Sequence, residues 1–271
     1  MTPGKRKRFP TGRNFLAAAQ HLADLSSKHS DRYIAKAGKL LPKTLSGTGN
    51  VLSILYRLAC CAYGCKGGDH QIEWLTGKLV NQAISAHRLI RAAQYDEALM
   101  LIRGMGEIAN LFWLFKHDGK EFTSWKAADK KLRISKFGPG AVRKRLASLV
   151  KIGPLIDGKR YQALCEIGTH PTPGLAPGHY TPGRPILGAI PQEAGVLVCV
   201  NELAYVVAVS APPVAGLLNC DRKLKKQLVD HSVHLLRSIG RFNVLNYEDA
   251  WKEIMAKRSS SIENKSEPLA T

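Results

Sequence analysis

The chain carries two groups of polar residues whose types and spacing suit acid–base or phosphate chemistry. In the first group, Arg103, Glu107 and Asn110 stand within a segment that is otherwise apolar. Spacings of four and three residues place these side chains on one face of a helix. A charged pair on an apolar helix must find partners, so we expect Arg103 and Glu107 to be buried. They form either a structural bridge that fixes helix packing or part of a site.

The second group lies at the end of a short predicted helix. Tyr161 and Glu166 precede His170, which stands directly before Pro171. The carboxyl end of a helix and a glutamate four residues earlier both favour a protonated histidine. His170 is therefore a candidate general acid or base, or it only caps the last carbonyls of the helix. We take Arg103, Glu107 and His170 as candidate catalytic residues that line one pocket, and expect Arg103 or Glu107 to contact the His170 segment.

The most basic part of the chain is the segment 116–160, which holds thirteen lysines and arginines against four acidic residues. Clustered cations of this kind bind the phosphates of nucleic acids. Trp125 and Phe137 lie close by and either stack on bases or belong to the core. The candidate nucleic-acid-binding residues are Lys130, Lys131, Arg133, Lys136, Arg143, Lys144 and Arg145.

The sequence offers no established metal or cofactor motif. Cys61 and Cys65 share a helix face and His70 follows, but no C-x-x-C pair or second half-site accompanies them. The segment around Gly47 and Gly49 lacks the Lys-Ser/Thr of a phosphate-binding loop. We therefore expect no metal and no cofactor.

Two stretches of the chain resemble a broad group of uncharacterised bacterial helical proteins. The stretches are 85–107, which contains the Arg103-x-x-x-Glu107 pair, and 161–171, which ends in His170-Pro171. In outline that group is similar to the HEPN superfamily of helical bundles, many of which bind or cleave RNA. Active HEPN ribonucleases carry an arginine and, after four to six intervening residues, a histidine on the same helix, and this chain has no such pair. The resemblance implies a helical bundle more than it implies RNA cleavage.

The elements that position these residues are predicted to be helices, because apolar residues recur along the chain with helical periodicity. It predicts an all-α fold, a multi-helix bundle around a buried central helix at 98–115, with a long Pro/Gly-rich loop at 171–191. We expect a disordered basic arm at 1–13, one helical domain at 14–257 and a disordered tail at 258–271.

Several boundaries follow from local signals. A first helix is expected at 14–25, followed by a polar stretch with three serines. Gly47 to Asn50 reads as a loop that ends in an N-cap before a helix at 51–65. The apolar segment 194–218 is a core helix that Pro212-Pro213 ends or kinks, although its length leaves a membrane span open.

The net charge of the chain indicates which kinds of partner it attracts. The chain has 40 lysines and arginines against 21 acidic residues, a formal net charge of +19. Such an excess attracts polyanions. No signal peptide is recognisable, so we expect reduced thiols and a cytoplasmic protein.

Three functions remain open from the sequence, and whether the protein is an enzyme stays undecided. The first is a binding or regulatory module associated with nucleic acid, RNA rather than DNA, or with an acidic protein. The second is a metal-independent HEPN-like ribonuclease of a bacterial stress or defence system. The third is a membrane-surface protein held by its basic arm, without a membrane span.

Overall fold

A computed structural model describes residues 12–60, 68–169, 180–181, 184–185, 190–219 and 221–263. Within these ranges the chain forms eleven α-helices and one short strand pair. The all-α multi-helix bundle expected from the periodicity is confirmed. The helices are α1 (Arg13–Lys36), α2 (Leu40–Ala59), α3 (Gln71–Arg91), α4 (Tyr95–His117), α5 (Gly119–Ala127), α6 (Lys130–Phe137), α7 (Pro139–Leu149), α8 (Gly158–Gly168), α9 (Glu193–Leu217), α10 (Arg222–Ser238) and α11 (Tyr247–Glu263).

The Pro/Gly-rich loop expected at 171–191 lies largely outside the described residues. Its described part is an antiparallel pair of two-residue strands, β1 (Tyr180–Thr181) and β2 (Arg184–Pro185). The expected basic arm at 1–13 also lies outside the described residues, apart from the start of α1. At the other end, α11 continues to Glu263, past residue 257 where we expected the helical domain to end.

Two helices form the centre of the bundle. The expected central helix, α4, packs against α3, α7, α8 and α9. The second, α9, packs against α2, α3, α4, α10 and α11, and most of its residues are buried, with valine and alanine the commonest types. Small side chains let the two helices approach closely: a Cβ added at Gly195 would stand 2.6 Å from the ring of Tyr95. The core is therefore built around a helix pair rather than one helix.

Both central helices are long and apolar enough to cross a membrane by length and composition. Their most apolar windows have a mean hydropathy of 1.3 in α4 and 1.8 in α9. Within the bundle, 61% of the α4 window and 83% of the α9 window are buried. Core helices of soluble proteins pass the same test, so the absence of a membrane span stays a prediction.

The expected breaks in α1 and α2 were wrong. α1 runs on through its serines, because Ser30 is buried against the body and donates a hydrogen bond to the carbonyl of Arg91 at 2.9 Å. α2 passes through Gly47 and Gly49 without a loop. At Gly47 an added Cβ would lie 3.1 Å from Cδ1 of Leu235, so this glycine allows α10 to pack closely and makes no turn.

The expected end of the helix at Pro212-Pro213 was wrong, because α9 continues to Leu217, while a kink at the prolines stays a prediction. Proline lacks the N–H that would bond to the carbonyl four residues earlier. For Pro212 that carbonyl belongs to Ala208, and it accepts a hydrogen bond from the hydroxyl of Ser232 on α10 at 2.6 Å. The neighbouring helix thus supplies the donor that the proline removes.

Candidate functional site

α8 lies antiparallel against the first half of α4 and sets up the first candidate site. Its start is capped by Asp157, which accepts a hydrogen bond from the N–H of Arg160 at 2.9 Å. Its end touches α4 closely, since a Cβ added at Gly168 would lie 2.9 Å from the carbonyl oxygen of Asp96. This arrangement brings Tyr161 and Cys165 opposite Arg103 and Glu107.

Four side chains from α4 and α8 then contact one another. Arg103 Nη2 lies 3.6 Å from Glu107 Oε1, as the spacing along the helix predicts. Tyr161 donates a hydrogen bond to the same carboxylate oxygen at 2.9 Å. Arg103 Nη1 lies 3.5 Å from both the Tyr161 hydroxyl and the Cys165 sulfur. The expected contact between the Arg103–Glu107 pair and the segment leading to His170 is therefore present.

A fifth side chain joins from α7. The guanidinium of Arg143 stacks over the ring of Tyr161, 3.9 Å from its centroid. Arg103 lies 5.6 Å from the same centroid. Cations over an aromatic face are attracted by its quadrupole. We call Arg103, Glu107, Arg143, Tyr161 and Cys165 the polar cluster.

The protonation of Tyr161 limits what the polar cluster can do. Burial and the hydrogen bond to Glu107 raise the pKa of Tyr161 to about 12. For Arg103, burial acts to lower the pKa, but the contacts with Cys165, Tyr161 and Glu107 outweigh it and leave the pKa raised. Near neutral pH Tyr161 is therefore a hydrogen-bond donor, and Arg103 is a fixed positive charge.

The polar cluster is less buried than the sequence predicts. The side chains of Arg103 and Glu107 are 25% and 30% exposed, so full burial was wrong. α8 covers one side of the pair, while Glu107 also lines an open groove between α3, α4, α5 and α6 of about 670 Å³. His170 lies outside the described residues, so its place beside the pair stays a prediction.

Asn110 and the two glycines of α4 have packing roles. Asn110 is buried and exchanges two hydrogen bonds with the backbone of Ile156, at 3.0 and 3.1 Å. Gly106 makes room for the side chain of Ile156, and Gly104 makes room for that of Gln82. The absence of a side chain at each glycine thus lets a side chain from elsewhere in the chain pack against α4.

The seven predicted nucleic-acid-binding residues, which we call the basic face, lie on the consecutive helices α6 and α7. Six of the seven are exposed, and Arg143 is half-buried in the polar cluster. Lys136 pairs with Glu121 at 2.7 Å, and Arg145 pairs with Asp118 at 3.4 Å and with Glu121 at 3.7 Å. Within the described part of the chain, Lys130, Lys131, Arg133 and Lys144 have no acidic partner. The basic face therefore keeps several unneutralised cations.

The aromatic residues near the basic face are less available than expected. Phe137 is only 7% exposed and cannot stack on a base. Trp125 packs against Phe115 and Phe122, with ring centroids 5.5 and 6.3 Å away. By contrast, Trp74 on α3 is exposed and also lines the groove. The exposure of Trp74 was predictable from the sequence, because this residue lies outside the apolar stripe of α3.

The described residues contain no group of three or more His, Cys, Asp or Glu side chains able to share a metal ion. Cys61, Cys65 and Cys220 lie outside the described residues. Of the described cysteines, Cys165 and Cys199 are buried and Cys60 is half-buried.

Comparison with protein-family models, with curated proteins and with solved structures found no match to this chain. The resemblance to HEPN-like bundles thus stays an expectation, and function has to be argued from the geometry.

Proposed function

We propose that this protein is a nucleic-acid-binding module that holds the backbone of RNA, or of single-stranded DNA, on the basic face. The observation that carries the proposal is the set of cations without acidic partners among the described residues, on two consecutive exposed helices: Lys130, Lys131, Arg133 and Lys144. Ion pairs elsewhere on the face fix its shape and leave these four groups available.

Phosphate binding fits the wider charge distribution. The net charge of +19 attracts any polyanion, and much of this positive charge lies in the segment 116–160. Each phosphate that a lysine or arginine neutralises releases condensed counterions, so affinity falls as salt rises. An acidic protein is the alternative partner for the same face.

The test is fluorescence anisotropy with a labelled single-stranded RNA over a range of salt concentrations. In the variant K130E/K131E/K144E three unpaired cations are reversed. The control K39E/K43E/K223E makes the same change of net charge at exposed lysines on or beside α2 and α10. We expect the first variant to bind far more weakly than the control. Its plot of log affinity against log salt should also flatten by about 2, since each single-strand contact contributes about 0.7.

Two results would overturn the proposal. If the wild type does not bind RNA at low salt, the basic face is not a nucleic-acid site, and an acidic protein becomes the better partner. If both variants lose the same affinity, net charge rather than this face governs binding. Circular dichroism of each variant checks that the bundle still forms.

The polar cluster favours a second candidate, a metal-independent ribonuclease. Arg103 is a fixed positive charge beside Glu107 and Tyr161, and such a group can neutralise a phosphate in a transition state. In this candidate His170 moves the proton. Cleavage of labelled RNA in the presence of a chelator should then disappear in R103A and H170A, while K39E/K43E/K223E still cleaves. Cleavage that survives in H170A would indicate a contaminating nuclease.

A further inference from the structure

One exposed face of α3 combines an aromatic ring with polar side chains. Trp74, Lys78 and Gln82 follow one another at intervals of four residues and so form a row along the helix. Trp74 is 61% exposed, an unusual degree for so large an aromatic side chain. Lys78 Nζ lies over the Trp74 ring, 5.9 Å from its centroid, so this ammonium group is close to any ligand that stacks on the indole.

The row stands between two concave surfaces. On one side is the groove of about 670 Å³, whose far wall comes from α4, α5 and α6. On the other side a shallower groove of about 570 Å³ is lined by Ala59, Gly77 and Leu101. Trp74, Lys78 and Gln82 line both. An extended strand therefore has room on either side of the indole.

The charges of the first groove favour an anion. Its two acidic residues are already paired: Asp69 with Lys126 at 2.5 Å, and Glu107 with Arg103 at 3.6 Å. Lys78 and Arg133 remain without an acidic partner among the described residues. Glu73, in the second groove, lies 4.0 Å from His70.

The groove is continuous with the basic face. Arg133 belongs to both, since it lines the groove from α6 and stands among the exposed cations of that helix. Gln82 adds a polar group at the other end of the row, and its amide oxygen is buried without a hydrogen-bond partner among the described residues.

We propose that this groove binds a single-stranded segment of nucleic acid, with one base stacked on Trp74 and the adjoining phosphates held by Lys78 and Arg133. The inference rests on the proposed function and deepens it: the basic face holds phosphates, and the groove selects strands whose bases are unpaired. Base–aromatic stacking tolerates any sequence, because every base has a π face.

The experiment measures full-length W74A, W74F and F15A against a labelled single-stranded RNA of about 12 nucleotides, within the range of a small single-strand site. Phe15 is 45% exposed and lines neither groove, so F15A is a matched control for losing an exposed aromatic ring. Inorganic polyphosphate, which has charge but no bases, serves as the second probe.

We expect W74A to lose affinity for the RNA by about tenfold, since stacking contributes roughly 1–3 kcal/mol per base and 1.4 kcal/mol is a factor of ten. W74F should lose less, and F15A should bind as the wild type does. Polyphosphate should bind all four proteins equally. RNA should also quench the tryptophan emission of the wild type more than that of W74F.

The outcomes separate this inference from the function on which it rests. If the wild type binds RNA and W74A binds it equally well, the groove inference is overturned while the basic-face proposal stands. If W74A loses polyphosphate and RNA alike, the ring acts on structure and the inference is again overturned. If the wild type binds neither probe, both proposals fall together.

Discussion

At the scale of single residues, one ion pair joins the fully buried carboxylate of Glu202 to Arg160, whose side chain is 14% exposed. Glu202 is 0% exposed, and both of its oxygens lie 3.1 Å from Arg160 Nη1. It also accepts a hydrogen bond from the N–H of Val244 at 3.1 Å. Burial raises the pKa of Glu202 although Arg160 opposes this, so desolvation outweighs the attraction between the two charges.

This balance predicts opposite outcomes for single and double substitution. E202L leaves the guanidinium of Arg160, whose side chain is only 14% exposed, without its carboxylate partner, so the free energy of unfolding should fall by about 3–5 kcal/mol. R160M/E202L removes both charges and should lose much less than the sum of the single variants. Urea denaturation of the wild type, R160M, E202L and R160M/E202L completes the cycle. Additive losses would contradict the prediction.

The same residues indicate how far a site can be predicted from sequence. Arg103 and Glu107 lie four residues apart on one helix, so their contact follows from helical spacing. Arg143 over Tyr161 and Arg160 beside Glu202 join residues distant in the chain. Those contacts depend on the order in which helices pack, and periodicity carries no information about it.

At the scale of helices, periodicity predicted the long apolar elements well and their ends poorly. The central helix was expected over the apolar stretch 98–115, and α4 runs from Tyr95 to His117. The errors came at glycine, serine and proline, whose local preference is to break helices. In α2 and α9 tertiary packing overrides that preference: Leu235 fills the space at Gly47, and Ser232 supplies a donor near Pro212.

The hydrogen bond from Ser232 to Ala208 gives a prediction at this scale. S232A should lower the free energy of unfolding by about 1–3 kcal/mol, because the buried carbonyl of Ala208 loses its donor. In a P212A background the helix N–H returns and bonds to the same carbonyl, so S232A should then cost clearly less. Thermal and urea denaturation of the four proteins measure this coupling.

S210A is the matched control for that prediction. The Ser210 hydroxyl is also buried and donates to a carbonyl of α9, that of Val206, at 2.6 Å. That carbonyl keeps its own helical N–H partner, so S210A should cost less than S232A. An equal loss in S210A and S232A would mean that the proline plays no part.

At the scale of the whole molecule, the apolar core and the net charge have opposite effects on the stability of the fold. The helix pair α4 and α9 gives the bundle a large apolar core. The net charge of +19 opposes compaction by self-repulsion, most strongly where the cations cluster. A protein of this kind gains stability from anything that screens or binds its cations.

The last prediction concerns that repulsion. Raising sodium chloride from low ionic strength should increase the melting temperature by a few degrees and then level off, as the Debye length shrinks to about 10 Å at 0.1 M. The variant K130Q/K131Q/K144Q should depend less on salt than K39Q/K43Q/K223Q, although each lowers the net charge by three. The two sets differ in their position: the first set lies within the basic face, where neighbouring cations repel at short range.

Scanning calorimetry of both variants and the wild type across the salt series measures how strongly each melting temperature depends on salt. Identical salt dependence in the two variants would mean that net charge alone, and not its clustering on α6 and α7, sets the electrostatic cost of folding.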